Sequence, residues 1–237
     1  MGIPRGNTRN NTREPMLPEE APVRGDDFHE AAAKFLERTI QEAVDKTDRE
    51  SRMVVLSNPM DLTLVAELLA RGSVPDLHEL VQQQHELMAA RYEEEELMAF
   101  PLERVARTAY EMRLVDTNRL QEEPAVLECM SRFRLLLRRE SRVTPGEQEW
   151  LFRHDKLWEF YILRHLVTES LEVIESLIGK EPFANVLIEL AGALDARMAQ
   201  RLGEKILAEA QRTQNHAVAT SYVRRLWARS DLPQRAA

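Results

Sequence analysis

Histidine next to glutamate is the pairing from which zinc peptidases build their active sites, and three such pairs occur in this chain. They are His29-Glu30, His78-Glu79 and His85-Glu86. A zinc-binding helix needs a second histidine four residues after the first, where Ala33, Gln82 and Ala89 stand instead. His78 and His85 would lie about 10 Å apart along a helix, too far to share one ion. The sequence therefore predicts no metal site, and the histidines are interpreted as surface or partly packed side chains.

The sequence also lacks a phosphate-binding loop and an activated nucleophile. Gly179-Lys180 is the one Gly-Lys pair, and Ile174 occupies the position where a Walker A loop has its first glycine. Cys129 has apolar neighbours and no histidine close to it in sequence, which favours a buried structural thiol. We therefore expect no enzymatic activity and no cofactor bound by this chain alone.

One basic cluster is compatible with nucleic acid. Five arginines, with only Glu140 among them, lie between residues 132 and 142. Those expected to contact a phosphate backbone are Arg134, Arg138, Arg139 and Arg142. The segment 125–132 would be the recognition helix, but it carries Glu128 and few side chains that read base edges. DNA binding is therefore an alternative hypothesis, and a solvated surface is the simpler interpretation.

Composition indicates a globular chain. Of the 237 residues 43% are hydrophobic and 30% charged, and the formal net charge is −8. No run approaches the ~20 apolar residues that a membrane span requires, and the N-terminus lacks an apolar secretory segment. A single cysteine forms no internal disulfide, which suits a reducing compartment. These features predict a cytoplasmic protein without membrane association.

Helical spacing of apolar residues dominates the chain. Residues 1–26 are rich in proline, glycine and polar side chains and are predicted to be a disordered extension. Asp26 and Asp27 are expected to cap a helix that ends near residue 45, and Asn58 to cap a helix over 59–71. A further helix is expected from Asp76, and another from Pro101.

In the middle of the chain the spacing of apolar residues changes from helical to strand-like. Residues 133–139 and 149–153 are predicted to form strands, joined by a turn at Pro145-Gly146. Helices follow from Asp155 and over 181–194, 196–211 and 215–229. The predicted fold is mainly α, a helical bundle with a central winged-helix unit that carries one small β-hairpin, followed by C-terminal helices. The predicted divisions are a disordered extension (1–26), a helical domain (27–96), a winged-helix domain (97–167) and a C-terminal helical extension (168–237).

Two stretches resemble the regulatory region of NACHT-type STAND ATPases. Residues 56–69, Leu-Ser-Asn-Pro-Met-Asp-Leu-Thr-Leu-Val-Ala-Glu-Leu-Leu, are similar to the proline-containing first helix of the helical domain that follows the nucleotide-binding core. Residues 149–160, Glu-Trp-Leu-Phe-Arg-His-Asp-Lys-Leu-Trp-Glu-Phe, resemble the end of the winged-helix domain, where a strand ending in Phe-Arg-His leads into an amphipathic helix. The resemblance extends over about residues 28–167.

The resemblance implies roles for three residues. Pro59 would pack against the adenine of a nucleotide held in the core, and His154 would donate a hydrogen bond to the β-phosphate of ADP and so hold an inactive arrangement. Asp155 would support His154, because a carboxylate at the start of a helix can cap its N–H groups and orient the imidazole.

The core itself has no counterpart in the sequence. ADP or ATP would therefore be bound only through a P-loop core on another polypeptide, or the chain is the C-terminal product of a split gene. The preferred hypothesis is a nucleotide-sensing regulatory module of a signalling or defence ATPase, with a partner that carries the core and with self-association as a further option. The alternatives are the winged-helix DNA-binding regulator and a helical adaptor between proteins.

Overall fold

The computed structural model describes residues 25–42, 58–77, 79–115, 120–141 and 148–229. Within these ranges the chain forms ten α-helices and one antiparallel β-hairpin, so the predicted mainly α fold is confirmed. The helices are α1 (Gly25–Glu42), α2 (Pro59–Ala70), α3 (Leu80–Glu96), α4 (Leu102–Leu114), α5 (Pro124–Arg132), α6 (Asp155–Leu166), α7 (Leu171–Glu175), α8 (Ala184–Ala193), α9 (Ala196–Thr213) and α10 (Ala217–Trp227). The strands are β1 (Leu136–Glu140) and β2 (Gln148–Phe152). Predictions for residues 1–24 and for the turn at Pro145-Gly146 lie outside the described residues.

The start of α2 follows the sequence prediction, and the start of α3 does not. Asn58 caps α2 by accepting a hydrogen bond from the N–H of Met60 at 2.9 Å. The prediction that a helix begins at Asp76 is wrong, because α3 begins at Leu80. The carboxylate of Asp76 binds Arg38 at 2.7 Å, and its backbone N–H donates to Gln83 at 2.7 Å. These contacts hold residues 74–76 outside the helix.

The first strand of the hairpin begins at Leu136, three residues after the start of the strand predicted over 133–139. Phe133 is the C-cap of α5, and Arg134 adopts a left-handed backbone conformation with φ 56°. The N–H of Leu135 then closes the turn by donating to the carbonyl of Met130 at 2.9 Å. Antiparallel pairing starts at Leu136 opposite Phe152 and ends at Glu140 opposite Gln148.

One large hydrophobic cluster extends from α3 to α10, and a smaller one surrounds α2. The large cluster runs from Met88 to Leu226, so buried packing continues past residues 96 and 167. The three helices before the hairpin are α3, α4 and α5. Of these, α3 ends at Glu96 and so lies in the predicted helical domain (27–96) and not in the predicted winged-helix domain (97–167). The smaller cluster contains the buried residues Leu64, Val65, Leu68, Leu77 and Leu80. The four predicted divisions of the chain remain predictions.

The C-terminal helices α9 and α10 approach closely. Gly203 of α9 faces the ring of Tyr222, and a Cβ atom at position 203 would lie 3.1 Å from the Cε1 atom of that ring. The Tyr222 hydroxyl donates to the carbonyl of Ala199 at 2.7 Å, and its side chain is fully buried. No described helix is both long enough and apolar enough to cross a bilayer.

Candidate functional site

The candidate site lies where β2 turns into α6. His154 is the N-cap of α6, and its Nδ1 atom accepts a hydrogen bond from the N–H of Lys156 at 3.3 Å. A ring nitrogen that accepts has no proton, so this bond assigns the proton of the neutral imidazole to Nε2. The His154 side chain is exposed, and Nε2 has no partner among the described residues. The turn therefore presents one N–H donor to solvent.

Asp155 begins α6, as predicted. The N-cap acceptor of this helix is His154 Nδ1, and the supporting role of Asp155 toward His154 stays a prediction. Asp155 is the first residue of α6, and its Oδ1 atom lies 3.5 Å from Nη1 of Arg113. Arg113 also covers the ring of Trp158 at 4.5 Å, which connects the start of α6 with the end of α4.

Pro59 occupies the first position of α2, with its side chain exposed. Proline suits this position because its fixed φ is helical and its missing N–H would have no helical acceptor there. Its ring is therefore accessible to another molecule.

The first turns of α2 and α6 face each other. Two residues after Pro59, the carboxylate of Asp61 binds the ammonium of Lys156, which lies two residues after His154. The Nζ–Oδ2 distance is 2.7 Å, and Asp61 is 5% exposed. The structure thus brings the two segments of the resemblance together.

A second contact joins α2 to the hairpin. Oε1 of Glu67 lies 3.2 Å from Nη1 of Arg134 and 3.4 Å from Nη1 of Arg153, and Oε2 accepts from Gln84 Nε2 at 3.0 Å. Gln84 is fully buried and also donates to the carbonyl of Phe133 at 2.8 Å. We call the contacts Asp61–Lys156 and Glu67–Arg153 the α2–α6 ion pairs, although Arg153 lies two residues before α6.

Two of the four proposed DNA-contacting arginines are paired with carboxylates. Arg134 binds Glu67, and Arg139 lies 3.3 Å from the buried Glu149. Arg138 lies over the ring of Trp150 at 5.4 Å. Arg142 lies outside the described residues. Two of the three described arginines of this set are therefore paired with carboxylates, and DNA binding stays an alternative prediction.

Two further candidate side chains, His85 and Cys129, are buried away from this turn. His85 packs among aromatic rings, and its Nδ1 lies 3.2 Å from the Tyr161 hydroxyl. Burial lowers the pKa of His85 to about 4. Cys129 is buried as predicted, and burial raises the pKa of its thiol. The part of the chain that the structure describes has no group of three side chains placed to bind a metal ion.

Sequence reasoning did not find the α2–α6 ion pairs. From the sequence alone, Asp61 is a carboxylate in the first turn of a helix, where negative charge is favourable. Its partner Lys156 lies 95 residues away, and Arg153 lies 86 residues from Glu67. The one available signal was charge complementarity, acidic in the proline helix and basic on both sides of His154.

Comparison of the chain with known protein families, with curated proteins and with solved structures finds no match.

Proposed function

We propose that this chain is a non-catalytic regulatory module of a STAND or NACHT-like signalling ATPase, and that it senses a nucleotide held by a P-loop core outside this sequence. The observation that carries the proposal is the hydrogen bond from the Lys156 N–H to His154 Nδ1. It fixes an exposed imidazole with Nε2–H as donor, which is the group that would bind a nucleotide phosphate.

The capping role of His154 is compatible with this function. The cap uses one ring nitrogen, and phosphate recognition would use the other. Capping also fixes the position of the ring at the start of a helix, so that little side-chain entropy is lost when a phosphate binds. The same residue can therefore stabilise α6 and sense the nucleotide.

The α2–α6 ion pairs supply the coupling that a sensor needs. A change at His154 reaches α2 through Lys156 and Asp61, and a change at Pro59 reaches α6 through the same contact. Loss of a phosphate from His154 would allow α6 and the hairpin to rotate as a body against the core. The module would thus convert ADP release into a change of interface.

Testing nucleotide sensing requires the P-loop ATPase core that this chain is proposed to regulate. Reading the source DNA on both sides of the coding sequence identifies a P-loop ATPase with a Gly-rich loop ending in Lys-Ser or Lys-Thr, which is then purified as a complex with this chain. Release of a fluorescent ADP is measured for the wild type and for His154→Ser. Serine retains an N-cap acceptor but cannot reach a phosphate.

We expect His154→Ser to accelerate ADP release at least about tenfold, which corresponds to the loss of one charge-assisted hydrogen bond. Lys34→Met, which removes an exposed lysine from α1, is the control and should leave the rate unchanged. Equal release rates for the wild type and His154→Ser in a stable complex would rule out the sensing role.

A further inference from the structure

An apolar groove lies between α9 and α10, away from the His154 turn. Its volume is about 610 Å³, and its lining includes Leu207, Val223 and Trp227. Leu207 is 43% exposed and Trp227 is 80% exposed, so large apolar surfaces face solvent. The side chains of His216 and Arg224 also line the groove, and none of the described lining residues carries a carboxylate. The groove therefore suits an apolar side chain accompanied by negative charge.

The chain exposes a segment with this character at the end of α3. Leu97 ends the helix with φ 56° and is 89% exposed, and Met98 is 56% exposed. Glu93 and Glu96 lie in the last turn before them and are exposed. We call these four residues the Leu97 tip.

The charge of the Leu97 tip is poorly compensated within its own helix. Arg91 lies 3.1 Å from Glu94 and 2.8 Å from Glu95, whereas Glu93 and Glu96 form no ion pair with any described residue. The last turn of α3 contains no basic side chain. Carboxylates at a helix C-terminus face the negative end of the helix dipole, so a cation from outside would stabilise the tip.

We propose that the Leu97 tip of one copy of this chain docks into the α9–α10 groove of a second copy. Leu97 would pack against Trp227 and Val223, and Glu93 and Glu96 would face Arg224. Within one copy Leu97 is 89% exposed and Trp227 is 80% exposed, so both side chains retain the surface that such a contact would bury. The proposal goes beyond the regulatory function above, which requires neither surface.

The geometry of such a contact determines the kind of assembly. Tip and groove are different surfaces, so the contact is heterologous, and each bound copy retains one free tip or one free groove. Copies would therefore add head to tail into a ring or an open chain. The apolar surface is small, so we expect weak association, with a dissociation constant above about 1 μM.

Sedimentation velocity over about 1 μM to 1 mM protein tests the association. The wild type should form species larger than a dimer as concentration rises. Leu97→Asn retains the left-handed conformation, and Trp227→Ala changes an exposed side chain, so both should fold. Each variant alone should be monomeric. Val115→Ser, which removes an apolar side chain that is 68% exposed elsewhere, should associate like the wild type.

Mixing the two variants identifies the surfaces. Leu97→Asn retains an intact groove and Trp227→Ala retains an intact tip, so the mixture should form a one-to-one dimer that does not grow. Arg224→Glu should abolish association, and Glu96→Arg in the same chain should restore it. The proposal is overturned if the wild type is monomeric throughout the range, if Leu97→Asn associates like the wild type, or if the mixture does not pair.

Discussion

The ammonium of Lys156 lies within 2.9 Å of both carboxylate oxygens of Asp61, across 95 residues of sequence. Asp61 is 5% exposed, whereas the Lys156 side chain is 43% exposed. The lysine therefore reaches from the surface of α6 to neutralise a carboxylate buried at the start of α2. Removing the two partners should consequently have unequal effects.

Lys156→Met retains the aliphatic stem and removes the charge, which leaves the Asp61 carboxylate buried without its cation. We expect the free energy of unfolding to fall by about 2 kcal/mol, measured by urea denaturation. Adding Asp61→Asn should recover part of this loss, because the uncompensated charge disappears. Lys34→Met, at an exposed ion pair, is the control and should have no measurable effect. Equal effects of the two lysine substitutions would contradict this assignment.

The N-cap at His154 has its own stability test. His154→Ala removes the acceptor for the Lys156 N–H and should cost about 1 kcal/mol in the free energy of unfolding. His154→Asn supplies another capping acceptor and should restore most of that stability. If alanine and asparagine give the same urea midpoint, the hydrogen bond at Nδ1 does not stabilise α6.

Because His85 is buried, we expect the free energy of unfolding to depend on pH. Burial lowers its folded-state pKa to about 4, below the unfolded value of about 6.5. The unfolded chain therefore binds the proton first, and stability falls as the pH drops from about 6.5 to about 4. The loss from this residue is roughly 3 kcal/mol, and it does not increase further below the folded-state pKa.

The variant His85→Gln separates this effect from the carboxylates that also titrate in acid. Glutamine retains a polar atom near the Tyr161 hydroxyl but does not titrate. The variant should be less stable than the wild type at pH 7, and the difference should narrow as the pH falls to about 4. A difference that stays constant over this range would show that His85 is protonated equally in the folded and unfolded chains.

Two helical glycines should respond oppositely to alanine. A Cβ at Gly203 would lie 3.1 Å from a ring atom of Tyr222, which is buried and held by its hydroxyl. A Cβ at Gly192 would lie 3.3 Å from Nε of Arg225, near the end of a flexible, half-exposed side chain. We expect Gly203→Ala to destabilise the fold by about 1 kcal/mol and Gly192→Ala to stabilise it by a few tenths, by thermal unfolding. The reverse order would show that Tyr222 moves more easily than Arg225.

Local signals in the sequence predicted most of the elements. Asn58 and Pro59 fixed the start of α2, and the change from helical to alternating spacing located the hairpin. The predicted start of α3 at Asp76 was wrong, because the side chain of Asp76 binds Arg38 of a different helix. The short helix α7, over Leu171–Glu175, was not predicted, since five residues carry little periodic signal.

The candidate site was predicted only in part. His154 and Pro59 were named from the resemblance, but their relation depends on contacts between Asp61 and Lys156 and between Glu67 and Arg153. Such pairs follow from the tertiary arrangement and leave no local pattern in sequence. The same holds for the burial of His85, because a histidine on a helix gives no indication of the rings that other segments bring to it.

We expect the small hydrophobic cluster around α2 to make this helix a distinct unit in native-state hydrogen exchange. Its five buried apolar residues are few beside the cluster that extends from α3 to α10. Part of its attachment to α6 and the hairpin is ionic, through basic side chains that are 33–58% exposed, and salt screens the exposed part of such contacts while strengthening the burial of apolar side chains. Raising the salt concentration should therefore accelerate exchange of the α2 amides and leave those of α6 protected. Subglobal opening would then release the segment that carries Pro59 before the segment that carries His154.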